Sequence, residues 1–217
     1  MKSMIDKYFP EMEIDVSWYS KKRTIGYSSG HTDLNSLDQL VKDCQKCDLY
    51  KTRKNTVFGD GDKNSDVMFI GEAPGREEDE AGKPFIGRAG KLLNEFLKSI
   101  GLNRESVYIV NTVKCRPPEN RDPEISEINA CSDYLDQQIS IIEHKVLVLL
   151  GKIAANRFLN EDKPMSDLRL KEFFVEKYDI PAIVFCHPAY ILRSPSRKKR
   201  VWDDLQFLHG ILSPHGS

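Results

Sequence analysis

Four short runs of apolar residues are separated along this chain by longer stretches with helical periodicity. Each run is bounded by turn-forming or charged residues, which is typical of a strand buried on both faces of a sheet. The runs predict four strands, at residues 66–70 (DVMFI), 107–113 (VYIVNTV), 145–151 (KVLVLLG) and 182–189 (AIVFCHPA).

The intervening stretches repeat apolar residues every three or four positions, which predicts amphipathic helices. One predicted helix carries Leu93 and Leu97 on its apolar face and stops at Gly101. A longer one begins at a cap formed by Asp122 and Pro123 and reaches about residue 143. Further helices are predicted at 34–47, after residue 151, and over 201–211.

Residues 1–33 show no comparable period, so we interpret them as an N-terminal extension that precedes one domain over residues 34–217. Strands that alternate with helices predict an α/β fold in which helices cover both faces of a parallel sheet. Ligands of such sheets bind beyond the carboxyl ends of the strands. Those ends carry polar or glycine residues in four places: Gly71-Glu72-Ala73, Asn111, Gly151 and His187.

The turn after the first strand, GEAPGREEDEAGKPFIG at residues 71–87, has the glycines of a phosphate-binding loop. However, Glu72 and the acidic run from Glu77 to Glu80 would repel a phosphate. We therefore expect a ligand other than phosphate at this turn, and we expect residues 77–80 to be mostly solvated charge.

Composition narrows the class of protein only a little. The 217 residues include 32 basic and 33 acidic side chains, so the net charge of −1 neither favours nor excludes nucleic acid. No apolar run approaches the roughly 20 residues of a membrane-spanning helix. Residues 1–15 lack the features of a secretory signal, so we expect a soluble, cytoplasmic protein without a membrane partner.

Four of the five cysteines are placed to form one site. Cys44 and Cys47 end the first predicted helix, Cys115 follows the second strand, and Cys131 lies on the next helix. Four thiolates bind either tetrahedral zinc or an iron–sulfur cluster, and the spacing does not separate the two. The alternative is one Cys-x-x-Cys pair plus two core cysteines; Cys186 is interpreted as a core thiol.

Three motifs together with the cysteine spacing resemble the thermostable family 4 uracil-DNA glycosylases of bacteria and archaea. They are GEAPG…KPFIGRAGKLL (residues 71–93), NTVKCRPPENRDP (111–123) and HPAYILRSP (187–195). The resemblance covers about residues 34–210. It implies a uracil-DNA glycosylase-like three-layer sandwich with a central four-stranded parallel sheet, a 4Fe-4S cluster on the four cysteines, and hydrolysis of the bond between uracil and deoxyribose.

The resemblance also implies the uracil-binding residues. Gly71, Glu72 and Ala73 bring backbone N–H groups to the base, and Phe85 stacks on it. Asn111 has an amide that donates to O4 of uracil and accepts from N3–H, a pattern that cytosine reverses. His187 is expected to stabilise the uracil anion as it leaves.

The group that activates water is open at this point. Some uracil-DNA glycosylases carry an aspartate one position after that of Glu72, where this chain has Ala73. Glu72 is therefore either the catalytic group that orients water or a source of backbone contacts alone. No activated lysine is evident in the sequence, so we expect a glycosylase without a lyase step.

The segment after His187 is predicted to be a loop that contacts DNA. Leu192 and Arg193 are candidates for the wedge that fills the gap left by a flipped base. Arg197 and Lys198 begin a basic cluster that extends to Arg200 and suits phosphate groups, although such a run is also compatible with a solvated helix start. The expected substrate is single- or double-stranded DNA that contains uracil.

Residues 2–9 (KSMIDKYF) resemble a sliding-clamp-binding peptide through Ile5, Tyr8 and Phe9. An alternative is a nucleic-acid-binding module that keeps this fold without catalysis. Such a module would not need the pocket that Glu72, Phe85, Asn111 and His187 form at the strand ends. Relatives that crosslink to uracil-containing DNA carry a basic insertion that residues 114–124 lack. We therefore expect a monomeric enzyme of base-excision repair.

Overall fold

The computed structural model describes residues 33–142, 144–159 and 163–212. The predicted N-terminal extension and the clamp-like peptide at residues 2–9 lie outside these ranges, so both stay predictions. No helix in the described ranges combines the length and apolar character needed to cross a membrane.

Six strands form one mixed sheet in the described part of the chain. They are β1 Asp60–Gly61, β2 Val67–Gly71, β3 Tyr108–Asn111, β4 Val146–Leu150, β5 Glu172–Val175 and β6 Ile180–Phe185, and their order is β1-β3-β2-β4-β6-β5. The central strands β3, β2, β4 and β6 are parallel, and these are the four strands predicted from the sequence. The edge strands β1 and β5 pair antiparallel and were not predicted.

The α-helices follow the predicted alternation. They are α1 Leu34–Lys42, α2 Arg76–Ala81, α3 Arg88–Ser99, α4 Ile125–Ile141, α5 Lys152–Leu159, α6 Met165–Leu168, α7 Pro188–Arg193 and α8 Lys198–Leu212. Helices α2, α6 and α7 are short and were not predicted. Residues 188–189 were predicted to end the fourth strand and residues 190–193 to form a loop; the proline at the first position of α7 instead starts a helix.

Helix α4 begins later than its sequence indicates. The predicted cap was Asp122 with Pro123, but the helix starts after Glu124. The carboxylate of Glu127 accepts a hydrogen bond from the Glu124 backbone N–H at 2.8 Å and pairs with Arg121. This capping interaction satisfies the helix start more directly than Asp122 does, which frees Asp122 to face elsewhere.

The alternation of side chains along the strands divides the core into two layers. Phe69 of β2 packs on one face of the sheet with Leu97 of α3 and Leu208 of α8. Met68 and Ile70 of β2 pack on the other face, in a cluster with residues of α4 and α5: Leu135, Ile139, Ala154 and Ala155. The predicted α/β class, with helices on both faces of a central sheet, is confirmed.

Candidate active site

The carboxyl ends of β2 and β3 lie side by side. Gly71 pairs with Asn111 in the parallel ladder, and the Thr112 N–H continues it by donating to the Gly71 carbonyl at 2.9 Å. The Val113 N–H then donates to the Glu72 carbonyl at 3.2 Å. These bonds fix the Gly71-Glu72-Ala73 turn against the end of β3.

Gly71 brings two candidate side chains together because it has no Cβ. A Cβ at this position would lie 2.4 Å from Oδ1 of Asn111 and 2.5 Å from the ring of Phe85. Both approaches are far inside van der Waals contact, so only glycine allows Asn111 and Phe85 to meet here.

Phe85 is held firmly by its surroundings. Its side chain is 4% exposed, and its backbone adopts the left-handed conformation with a φ of 51°. Arg104 Nη1 donates to the Phe85 carbonyl at 2.9 Å, which stabilises this uncommon conformation. The Phe85 ring centroid lies 5.8 Å from that of His187, at an interplanar angle of 40°. The ring is therefore both a core residue and a wall of the site.

The side-chain oxygen of Asn111 is a buried hydrogen-bond acceptor without a donor among the described residues. The residue is 1% exposed, and its Oδ1 atom has no hydrogen-bond partner among the described residues. A buried polar atom left unpaired is costly and rare in folded proteins. An N–H donor of a bound ligand is the natural partner for this oxygen.

His187 follows β6 and caps helix α7. Its Nδ1 atom accepts a hydrogen bond from the Ala189 N–H at 3.1 Å, so in the neutral ring the proton resides on Nε2. Burial, and then the nearby charge of Arg193, lower the pKa of His187 to about 4. At neutral pH the ring is therefore uncharged and presents an N–H donor at Nε2.

Glu72 is a partly buried carboxyl with an unusual pKa. Burial is the largest cause that raises it, and the neighbouring carboxyl of Asp122 raises it further, to about 7. Arg193 opposes the shift. The charges around Glu72 thus come from two separate segments, the loop before α4 and helix α7. The role of Asp122 beside Glu72 was missed because we assigned this residue to a helix cap.

The acidic run at residues 77–80 is only partly solvated, which corrects the prediction. Asp79 is 2% exposed, and its Oδ1 atom accepts from the Lys54 and Asn55 N–H groups at 2.9 and 3.3 Å. Glu78 Oε1 accepts from the Ile86 and Gly87 N–H groups at 3.0 and 2.8 Å. Glu78 thus holds the residues that follow Phe85, and Asp79 joins α2 to residues 54 and 55.

We expect Asp79→Ala to lower the free energy of unfolding by about 2 kcal/mol, because two backbone N–H groups lose their acceptor. Glu77→Ala, on an exposed position of the same helix, should change it by less than about 0.5 kcal/mol. Denaturant unfolding measures both. Equal losses in the two variants would contradict the role given to Asp79.

The predicted DNA-contacting residues follow His187 along the chain, and Arg193 is close enough to influence both Glu72 and His187. Leu192 is partly buried on α7, whereas Arg193, Arg197 and Lys198 are exposed. The Arg197 guanidinium stacks over the Tyr190 ring, with 5.1 Å between its central carbon and the ring centroid. Leu192 and Arg193 lie on α7, Arg197 ends a short 3-10 helix, Pro195–Arg197, and Lys198 begins α8, so helical segments carry all four residues.

The four predicted cysteine ligands line one cavity. Cys44 and Cys47 reach it from the segment after α1, Cys115 from the segment after β3, and Cys131 from α4. Arg53 Nη1 donates to Cys115 Sγ at 3.1 Å, and the Lys114 backbone N–H donates to Cys131 Sγ at 3.3 Å. Within the described residues, no group of three or more His, Cys, Asp or Glu side chains is arranged to hold a single metal ion.

The environment of this cavity suits a negatively charged group. Burial raises the pKa of the Cys47 and Cys115 thiols, and it raises that of Cys131 to about 11. Lys114, Arg53 and Lys46 line the same cavity. Thiolates in this cavity therefore need both a bound metal and the surrounding cations to stay deprotonated. The donor set and its N–H···S contacts fit a thiolate-bound cluster.

Comparison with known proteins agrees with these features. The model of the uracil DNA glycosylase superfamily matches residues 58–206. The chain is 44% identical to a type-4 uracil-DNA glycosylase of Archaeoglobus fulgidus over 80% of this chain and 92% of that protein. It is 41% identical to the type-4 enzyme of Pyrobaculum aerophilum over 82% and 94% of the two chains, and 40% identical to that of Thermotoga maritima over 83% and 95%. This chain belongs to the uracil-DNA glycosylase superfamily and, within it, to the type-4 enzymes.

Proposed function

We propose that this protein excises uracil from DNA by hydrolysing the N-glycosidic bond, which leaves an abasic site for base-excision repair. The observation that carries the proposal is the buried Oδ1 atom of Asn111, which has no partner among the described residues and lies beside Phe85. Family membership supports the same reaction.

Uracil is read in the pocket formed by Gly71, Phe85 and Asn111 after it leaves the base stack. The ring stacks on Phe85, and the N3–H group donates to Oδ1 of Asn111. The amide nitrogen of Asn111 donates to O4, and backbone N–H groups of Glu72 and Ala73 are available to the remaining oxygen. Cytosine presents an acceptor at N3 and a donor at C4, so it would leave this pocket mismatched.

Departure of the base is assisted by the neutral ring of His187. As the glycosidic bond breaks, negative charge develops on uracil O2 and positive charge on the sugar. The Nε2–H group of His187 donates to O2 in a partly buried site, where a hydrogen bond to a developing anion is strong. A neutral donor needs no counter-ion in the free enzyme, which suits a site with a raised carboxyl pKa nearby.

Glu72 orients the water that attacks the sugar. The ionised carboxylate accepts a proton from the water. Because its pKa is about 7, Glu72 changes from the protonated to the ionised form near neutral pH. Burial is the main cause of this raised pKa, and Asp122 and Arg193 adjust it in opposite directions. The backbone of Glu72 contributes to the uracil pocket independently of this side chain.

The cysteine cavity holds a 4Fe-4S cluster on Cys44, Cys47, Cys115 and Cys131, with zinc as the alternative. When bound, this group serves as a structural link rather than a reactant. The ligands join the segment after α1, the segment after β3 and helix α4. Asp122 lies between Cys115 and Cys131 in the sequence. Binding of these two cysteines to one group therefore also positions the Asp122 carboxyl beside Glu72.

DNA lies across Leu192, Arg193, Arg197 and Lys198. Leu192 is the apolar wedge, and the three cations contact phosphates. The cytoplasmic location, the monomeric state and the clamp peptide at residues 2–9 stay predictions.

The proposal is tested by incubating the purified protein with oligonucleotides that contain one uracil, in U:G, U:A and single-stranded contexts, followed by alkali cleavage. We expect strand cleavage at uracil only, with no cleavage before alkali. Iron and sulfide analysis together with a visible absorbance band tests the cluster, and a colourless protein that contains zinc would exclude it. Intact oligonucleotides in all three contexts would refute the enzymatic proposal.

We expect the rate of uracil release to rise with pH through about 7 and then level off, because the Glu72 carboxyl loses its proton there. The variant Glu72→Gln should show a flat profile and a rate about tenfold to a thousandfold lower at pH 8. Single-turnover rates from pH 5.5 to 9 measure both. Glu77→Gln, on the exposed side of α2, is the control. An unchanged profile in Glu72→Gln would restrict Glu72 to backbone contacts.

A further inference from the structure

Lys114 is a buried lysine that lies between the cysteine cavity and Asn111. The residue is 1% exposed and directly precedes Cys115. Its Nζ atom donates to the backbone carbonyl of Asn111 at 2.9 Å, while its own backbone N–H donates to Cys131 Sγ at 3.3 Å. One residue therefore contacts both the proposed uracil-binding asparagine and a proposed cluster ligand.

The charge of Lys114 has an unusual environment. A buried ammonium group is costly unless an anion compensates it. Within the described ranges, Lys114 forms no ion pair with a carboxylate. Lys114 instead lines the cysteine cavity together with Cys115 and Cys131. A thiolate-bound group in the cavity is thus the counter-charge that this lysine lacks in the protein alone.

The hydrogen bond to Asn111 gives this arrangement a consequence for the active site. The Asn111 carbonyl belongs to the last residue of β3, which pairs with Gly71 of β2. Its side-chain oxygen must be aimed at the base without help from any described protein donor. The Lys114 hydrogen bond therefore acts together with the Thr112 and Val113 N–H bonds to fix the end of β3 that carries this side chain.

We propose that Lys114 is a positioning residue that couples the group bound in the cysteine cavity to uracil recognition by Asn111. The thiolate-bound group holds the Lys114 ammonium in place, and the ammonium holds the end of β3. The inference rests on the proposed function, since it assigns uracil to the pocket of Asn111. It predicts that the cysteine cavity affects affinity for the base itself, in addition to supporting the fold.

The test compares the iron-loaded wild-type protein with Lys114→Met by calorimetric titration of free uracil. Methionine keeps the length and volume of the side chain but neither donates nor carries charge. We expect uracil to bind about tenfold more weakly, as the loss of one charge-assisted hydrogen bond implies. Affinity for an oligonucleotide that already contains an abasic site should change less than about twofold, because that ligand leaves the base pocket empty. General damage to the fold would lower the affinity for both ligands.

Two comparisons make the result decisive. Lys98→Met removes an exposed lysine of α3 and should leave uracil affinity unchanged. Lys114→Arg, which keeps the charge and the donors, should bind uracil more tightly than Lys114→Met. Equal uracil affinity in the wild type and a folded Lys114→Met protein would overturn the inference.

A second experiment uses the wild-type protein, so its result does not depend on whether the Lys114→Met variant folds. Removing iron with a chelator, with retention of fold checked by circular dichroism, should weaken uracil binding by a similar factor. Removing it from Lys114→Met should add little, because the two changes act through one contact. If iron-free wild type binds uracil as tightly as the loaded protein, the coupling is refuted. A loaded wild type that neither binds uracil nor releases it from DNA would instead refute the proposed function.

Discussion

Replacing His187 with alanine is expected to lower the single-turnover rate of uracil release by about 100- to 1000-fold, the usual loss when one donor to a developing anion is removed. The donor is Nε2–H, because Nδ1 is occupied by the Ala189 N–H at 3.1 Å. Affinity for uncleaved DNA should change little, since the hydrogen bond strengthens mainly as charge develops on O2.

The pH dependence separates this role from that of a cationic histidine. With a pKa of about 4, His187 is neutral across pH 5.5 to 9, so the fold-loss in His187→Ala should be the same at pH 6 and at pH 8. His209→Ala, at an exposed position of α8, is the matched control and should retain the wild-type rate. A loss that is large at pH 6 and small at pH 8 would show that the charged ring is the active form.

The substitution Asn111→Asp is expected to have an even larger effect on uracil, lowering kcat/KM by about 10,000-fold or more. The ionised carboxylate accepts from N3–H but has no donor for O4, and its buried charge would face that oxygen. Cytosine offers N4–H as a donor, so the ratio of cytosine to uracil excision should rise even if both rates are low.

Paired oligonucleotides with uracil or cytosine at one position measure this change in specificity. Asn129→Asp, an exposed position of α4, makes the same chemical change outside the pocket and should leave both rates as they are. A uracil rate within tenfold of the wild type in Asn111→Asp would exclude the proposed recognition of N3–H and O4 by this side chain.

The central part of the fold was predictable because each buried strand is apolar on both faces. Val67–Gly71 and Val146–Leu150 are buried at every position, so their sequences are continuous apolar runs. The edge strands lack this signal. β1 has two residues, and β5 leaves Phe174 exposed, so neither has a pattern that distinguishes it from a loop.

The candidate site was predictable in position for a similar reason. Parallel strands end at one edge of the sheet, so Gly71, Asn111 and His187 had to lie near one another once the strands were assigned. The long-range contacts were not predictable. The acceptor role of Asp79 towards Lys54 and Asn55, and the proximity of Asp122 to Glu72, both join segments that are distant in sequence.

The sequence by itself therefore determined the four parallel strands, the helices that cover them, the edge at which the polar residues meet, and the family. Periodicity and local residue type carry that information. Only the tertiary structure decided that Asn111 keeps an unpaired oxygen, that His187 is a neutral Nε2–H donor, and that Lys114 connects the cysteine cavity to Asn111. Such properties depend on burial and on partners brought together by folding, which no local pattern of residues encodes.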